Sequence, residues 1–291
     1  MTNKNMKTNY ENLHKEVSLI IISHKSKKKV LKFLENISDK FKIIVIENSD
    51  DRSIRAELSI KRPKIEIYFT ENKGFGSAIN YGRTFINTKY FFSFNPDIIG
   101  VSDEIINIIY NAAKKLKDEF SCIGPRYQEE RNIKQSNINK KIAKISISGA
   151  AMFFNTKNFD EINGFDENFF LFFEENDYCK RGLKKKLYSY QINAAKVIHN
   201  IGTSVEYRDK EEKDKLNSLL NWHFIWSKAY FKKKHYGTFF TYLYFLIVII
   251  KLNIYKSFFK IIKKKESFNK YNDRLDAILT ALNNKKSYKR I

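Results

Sequence analysis

The sequence predicts an α/β protein: a mostly parallel sheet flanked by helices, followed by a helical, basic C-terminal region. Three observations carry this. Short apolar, β-branched runs alternate with segments of helical spacing through the first half. Each of the first four runs ends on polar or turn-forming residues. After about residue 205 strand-like patterns cease, and from Trp226 onward 16 Lys and Arg stand against three carboxylates, so more than half of the net charge of +22 lies in the last quarter.

The elements follow in order. Val17 to Ser23 (VSLIIIS) is an uninterrupted β-branched run, the mark of a strand buried on both faces. KKKVLKFLENI sets Val30, Leu31, Leu34 and Ile37 on one side and lysines on the other, a helix. FKIIVIENSDD is a second strand that runs out into acidic and turn residues, and KIEIYF is a third. GFGSAINYGRTFI opens a helix through glycines. KYFFSF is a fourth strand. It stops at Asn95-Pro96-Asp97, because proline lacks the N–H a central strand needs. SDEIINIIYNAAKKL is a helix with Ser102 as N-cap and carboxylates in its first turn. FSCIGP is a fifth strand. This alternation implies right-handed crossovers. KISISGAAMFFN then alternates like a strand, EENDYCKRGLKKK is a short helix, and LYSYQI and AKVIHN are short strands. WHFIWSKAYFKKKHYG and TFFTYLYFLIVIIKLNIYKSFFKIIKKK are helical. The expected division is a disordered lead over 1–16, a sheet domain over 17–205 and a helical region over 206–291.

With 291 residues, 43% of them hydrophobic, three prolines and ten glycines, the chain can bury a sizeable core and is neither disordered nor fibrous. Cys122 and Cys179 make no disulfide framework and no zinc spacing, so a reducing compartment is the default. The polar N-terminus lacks the apolar stretch of a signal peptide. The charge admits nucleic acid, an anionic membrane surface or a phosphorylated substrate as partner. No nucleic-acid-binding motif is present, which leaves a basic nucleic-acid-binding protein as a minor alternative. A nucleotidyltransferase on a similar sheet would need a basic glycine-rich loop near the N-terminus, and SHKSKKK has lysines but no glycine.

In open α/β sheets ligands bind beyond the carboxyl ends of the strands. Here those ends carry Ser23-His24, Glu47-Asn48-Ser49-Asp50, Asn72-Lys73-Gly74-Phe75-Gly76 and Asn95-Pro96-Asp97. One polar end is a turn; four along one edge form a site. The glycines permit close backbone approach to a phosphate, although they lack the G-x-G-x-x-G spacing and also suit a tight strand-to-helix turn. Asp97 suits a hard cation that carries phosphate oxygens, with a plain Asn-Pro-Asp turn as the alternative. A second constellation holds Asp166, Glu174, Glu175 and Asp177 among phenylalanines. On a helix Asp177 meets Arg181 at i+4, a structural pair. Glu175 meets Cys179 instead and is the carboxylate open to proton chemistry, its pKa raised where aromatics desolvate it. His199, after a short strand, is a candidate second metal ligand with Asp97.

SLIIISH, IIVIENSDD, ENKGFGSAIN, FSFNPDI, ISGAAMFFN, NGFDENFFLFFEENDYCKR and VIHNIGTS come in this order from Ser18 to Ser204. Together they resemble the family 2 glycosyltransferases, in particular the bacterial rhamnosyltransferase-like branch. The resemblance implies a glycosyltransferase A-type (GT-A) fold, a nucleoside-diphosphate sugar donor, Mg²⁺ or Mn²⁺, and inverting transfer to a glycan acceptor in surface-polysaccharide synthesis. It implies a donor site of Ser23, Glu47, Asn72, Gly74, Asn80 and Asn95, with Glu47 where the family usually has Asp. Asp97 stands as the last carboxylate of the family's Asp-x-Asp and, with His199, binds the metal. Gly149, Ala150 and Glu174 lie on the acceptor side. Glu175 takes the general-base position, with Asp177 beside it as a further catalytic candidate.

In the tail, Phe239 to Ile250 (FFTYLYFLIVII) is too short to span a bilayer, which needs about 20 residues. KLNIYKSFFKIIKKK follows, so the segment reads as an interfacial helix beside a basic patch, with a core helix and a solvated charge run as the alternative. Combined with the resemblance, this implies a peripheral enzyme on the inner face of the bacterial cytoplasmic membrane, acting on a lipid-linked acceptor.

Overall fold

The computed structural model describes residues 3–49, 51–128, 141–144, 146–200 and 209–290. The chain divides into two compact units, Met1–Asp166 with Glu175–Glu206, and Glu167–Glu174 with Tyr207–Ile291. The boundary expected near 205, the end of the VIHNIGTS motif and most of 126–148 lie outside the described residues.

The first unit is built on one nine-stranded sheet. Its strands are β1 (Val17–Ser23), β2 (Lys42–Glu47), β3 (Glu66–Phe69), β4 (Tyr90–Phe94), β5 (Ile98–Ile99), β6 (Phe120–Tyr127), β7 (Lys141–Lys144), β8 (Ala151–Asn155) and β9 (Tyr188–His199). They lie in the order β3-β2-β1-β4-β8-β6-β9-β5, with β7 also on β9. β3, β2, β1 and β4 run parallel, because helices α2 (Lys27–Leu34), α3 (Ser53–Lys61) and α4 (Phe75–Arg83) return the chain between them. β8 enters antiparallel between β4 and β6, so the second half of the sheet is mixed. The two short strands expected over 187–192 and 195–200 are one 12-residue strand, β9, parallel to β6.

β1 has no exposed residue, as its unbroken apolar run requires. Leu19 and Ile21 face one apolar layer with Ile106, Ile109 and Tyr110 of α5 (Asp103–Lys115). Ile20 and Ile22 face the other, with Ala78 and Ile79 of α4 and Tyr178 of α7 (Glu174–Lys184). Each fully buried side chain of this size contributes about 1.5–3 kcal/mol. Ser102 caps α5 as expected, its hydroxyl accepting from the Ile105 N–H. The lead expected to be disordered instead forms helix α1 (Asn3–Glu16). Its last turn is held by Leu13, fully buried, and by His14, whose Nε2 lies 3.3 Å from Asp103 Oδ2.

α6 (Thr156–Glu161) completes the first unit. The second is helical: α8 (Lys210–Tyr236), α9 (Thr238–Ile261) and α10 (Lys265–Leu282). Asp209 caps α8, accepting from the Glu212 N–H at 2.8 Å. Trp222, Trp226, Phe245, Leu252, Leu275 and Ile278 form the core of this unit, and Trp222 Nε1 donates to Asp276 at 2.8 Å. The aromatic segment 167–174 packs here too, with Phe169 4.8 Å from the Tyr230 ring and Phe170 4.6 Å from the His223 ring. The tail apolar segment is longer than expected. α9 runs for 24 residues, long and apolar enough to cross a membrane by length and composition, and 17% of its most apolar window is buried.

Candidate active site

The carboxyl end of β4 sets the first corner. The Asn95 N–H donates to the Ala150 carbonyl at 2.9 Å, extending the β4–β8 pairing past Phe94 and Ala151. Pro96 then ends it. The chain turns into β5, which pairs antiparallel with the end of β9 and places Ile98 opposite His199. The Asn200 N–H donates to the Asp97 carbonyl at 3.3 Å. This register brings the two candidate metal ligands together: His199 Nε2 lies 3.6 Å from Asp97 Oδ1. The Tyr127 ring stands 5.8 Å from the imidazole. A carboxylate oxygen and an imidazole nitrogen form a donor set that suits Mn²⁺; Mg²⁺ leans further toward oxygen. Among the described residues no group of three or more His, Cys, Asp or Glu could hold a metal ion, so Asp97 and His199 are a two-ligand set.

The expected donor edge is at β1 and β2, where Ser23 stands opposite Glu47. Glu47 is fully buried, and its Oε1 accepts from the backbone N–H of Ser49 at 2.8 Å and from its hydroxyl. Burial raises its pKa, opposed by hydrogen bonding from Ser23 and Ser49. The Ser23 and Ser26 hydroxyls are 3.0 Å apart, and His24 Nδ1 is 2.9 Å from Asn48 Oδ1. Asn72 Oδ1 accepts from the Gly74 N–H at 3.3 Å. Gly74 has φ +110° where the chain enters α4, a conformation that favours glycine. Asn80, expected on the donor side, also has a structural part. Its Nδ2 donates to the Phe165 carbonyl and its Oδ1 accepts from the Phe165 N–H, both at 2.9 Å. It ties α4 to the loop after α6.

The third corner is the start of α7. Asn176 Nδ2 donates to Glu175 Oε1 at 3.0 Å. Glu175 is half-buried, and desolvation pushes its pKa up to about 7. A Cβ on Gly149 would lie 3.3 Å from Phe75 Cε1 and 3.9 Å from Glu175 Cβ, so a side chain there would press on the Phe75 ring. Asp177, also expected among the catalytic carboxylates, makes the ion pair that its spacing to Arg181 implied. It is fully buried and accepts from Arg181 Nε at 2.7 Å. The same guanidinium donates to the carbonyls of Ile162 and Gly164, locking α7 to the loop after α6. Glu174, expected on the acceptor side, is buried and is grouped with the helical unit.

The Asn95–Ala150 hydrogen bond joins the corners. Asp97 lies two residues beyond one partner; Gly149, beside Glu175, immediately precedes the other. Sequence reasoning passed over Phe75, Tyr127 and Ser26. Phe75 sits between the two glycines and Ser26 follows the first polar strand end, signals that were present. Tyr127 was hidden because β6 runs two residues past its expected end at Pro125.

No protein-family model matches the chain. Among curated proteins it is 22% identical over 255 residues to rhamnosyltransferase WbbL of Escherichia coli strain K12, covering 75% of this chain and 93% of that protein. It is 21% identical over 213 residues to the low-salt glycan biosynthesis hexosyltransferase Agl10 of Haloferax volcanii, covering 64% and 67%. Among solved structures, mannosyltransferase PcManGT from Pyrobaculum calidifontis, in complex with GDP-Man and Mn²⁺, has a TM-score of 0.55 at 12% identity over 92% of this chain and 87% of that one. GalNAc-T7 with UDP, GalNAc and Mn²⁺ has a TM-score of 0.56 at 8% identity over 75% of this chain. The match takes in 47% of that chain, so the present chain spans about half its length. These structural likenesses speak for the fold. With the sequence relatives, they make the chain a glycosyltransferase of the GT-A fold. Among such enzymes it is rhamnosyltransferase-like, as the ordered motifs implied, and the nucleotidyltransferase and nucleic-acid readings find no support.

Proposed function

We propose that the chain is a metal-dependent, inverting family 2 glycosyltransferase that moves a hexose such as rhamnose from a nucleoside-diphosphate sugar to a glycan acceptor of a bacterial surface polysaccharide. The observation that carries this is the Asn95–Ala150 hydrogen bond, which sets the Asp97–His199 pair and the Glu175 carboxyl about one strand junction. Glu47 and Ser23 receive the donor base. Asn72 shapes the loop at Gly74, whose open backbone lets the diphosphate approach the start of α4, where the positive end of the helix favours an anion. Asp97 and His199 would hold Mg²⁺ or Mn²⁺, and the cation would offset charge growing on the departing nucleoside diphosphate.

Glu175 takes the proton of an acceptor hydroxyl as that oxygen attacks the anomeric carbon. The new C–O bond forms as the bond to the diphosphate breaks, and the configuration inverts. A pKa of about 7 suits this role, because the carboxylate is available near neutral pH yet basic enough to accept the proton. Gly149 and Ala150 leave room for the acceptor. The acceptor is lipid-linked, and the enzyme works as a peripheral protein on the inner face of the bacterial cytoplasmic membrane; the basic, apolar tail supports this part of the reading.

A panel of nucleotide sugars, followed by nucleoside-diphosphate release with Mn²⁺, Mg²⁺ or chelator, tests the proposal. One donor should be consumed in a metal-dependent, acceptor-stimulated way, and Asp97→Ala should silence it. Release that ignores both chelator and Asp97→Ala would remove the metal assignment.

A further inference from the structure

α9 has two apolar faces. Thr241, Phe245 and Leu252 form the inner one and are buried within the helical unit. The ring of Phe259 stacks on Tyr271 of α10 at 5.4 Å. The outer face carries Leu243, Ile247, Ile250, Ile254, Phe258 and Ile261, spaced three or four residues apart as one stripe on a helix. Each of these side chains is between 49% and 78% exposed. The stripe runs about 27 Å at 1.5 Å per residue. Such a continuous exposed apolar surface marks a contact site.

The charge around the stripe has one sign. α9 contains Lys251, Lys256 and Lys260 and no carboxylate, and Lys263, Lys264 and Lys265 follow it. At the α8–α9 elbow, Lys232 Nζ sits 3.8 Å from the centre of the Tyr244 ring. Two copies of this chain meeting stripe to stripe would set lysine rims against each other, whereas an anionic lipid surface neutralises them.

We propose that α9 lies along the surface of an anionic phospholipid bilayer, with its outer stripe in the acyl region and its lysines on the headgroup phosphates. This deepens the membrane-surface part of the function above by naming the face and its orientation. The helix is long enough to span, but its inner face is packed against α10, which carries Glu266, Lys270, Asp273, Arg274 and Asp276. Spanning would draw those charges into hydrocarbon or strip α9 from its core. Lying flat immerses the outer face by about 5–10 Å and leaves α10 in water.

Flotation of the full chain with phosphatidylcholine vesicles, with and without phosphatidylglycerol, at low and high salt, tests this. The wild type should float with the anionic vesicles at low salt. Ile247→Asp with Ile254→Asp should weaken that binding at least about 100-fold, the loss expected from two large side chains denied burial, while its thermal melt stays near wild type because both positions are exposed. Ile250→Trp should be quenched by brominated acyl chains. A wild type that fails to float, a double variant that floats equally well, or retention through alkaline carbonate extraction (a spanning helix) would each overturn the proposal. So would a vesicle-free dimer that the double variant breaks, since a second copy would then cover the stripe. Flotation needs no sugar donor, so a failed transfer reading and a failed membrane reading give separate results.

Discussion

Asp97 Oδ1 and His199 Nε2 stand 3.6 Å apart because a two-residue strand, β5, pairs with the end of β9. Asp97→Ala should therefore abolish metal-dependent donor binding and turnover while circular dichroism stays native. His199→Ala should keep part of the activity and raise the Mn²⁺ concentration needed. Calorimetric titration of donor with and without Mn²⁺ reads both. Near wild-type metal dependence in both variants would detach the pair from metal binding.

Glu175→Gln should lower turnover by about 10²–10⁴-fold and leave donor affinity intact. Wild-type activity should rise with pH through about 7 and then level, since the base must be ionised. The variant's residual rate should lack that rise.

The same carboxyl ties stability to pH. Its pKa rises from 4.5 to about 7 on burial, so the folded chain holds the proton more tightly than the unfolded one. This contribution to stability is full below about pH 4.5, is lost as pH climbs toward 7, and stays lost above. Glu175→Gln should remove that slope, so urea melts at pH 5 and pH 8 should differ less than for the wild type. An equal or steeper slope in the variant would contradict the raised value.

Asp177→Asn should act through the fold. It leaves the Arg181 guanidinium without its buried carboxylate, a loss of about 3–5 kcal/mol for a broken buried pair. Turnover per folded molecule should stay near wild type. If Asp177→Asn stops the chemistry and Glu175→Gln does not, the two roles are exchanged.

Asn80→Ala should cost about 1–3 kcal/mol, because the N–H and carbonyl of Phe165 lose their side-chain partner. Donor affinity should hold in the folded protein. A large fall in donor affinity with unchanged stability would place Asn80 in the nucleotide site.

Local pattern by itself determined much of this protein. The strand–helix alternation, the stop at Pro96, the Ser102 cap and the Asp177–Arg181 pair were legible because each depends on neighbours within a few residues. The ordered strand ends also marked the edge where the candidate site was expected. Tertiary structure decided the rest, because it depends on partners far away in the chain. Nothing local in AMFFN tells β8 to run antiparallel between β4 and β6, yet that choice sets Ala150 against Asn95. Asn80 has the right chemistry for a ligand, and only the approach of Phe165 ties its amide to the fold as well. In α9 both faces are apolar, so periodicity could not tell core from surface; packing against α10 buried one and left the other exposed.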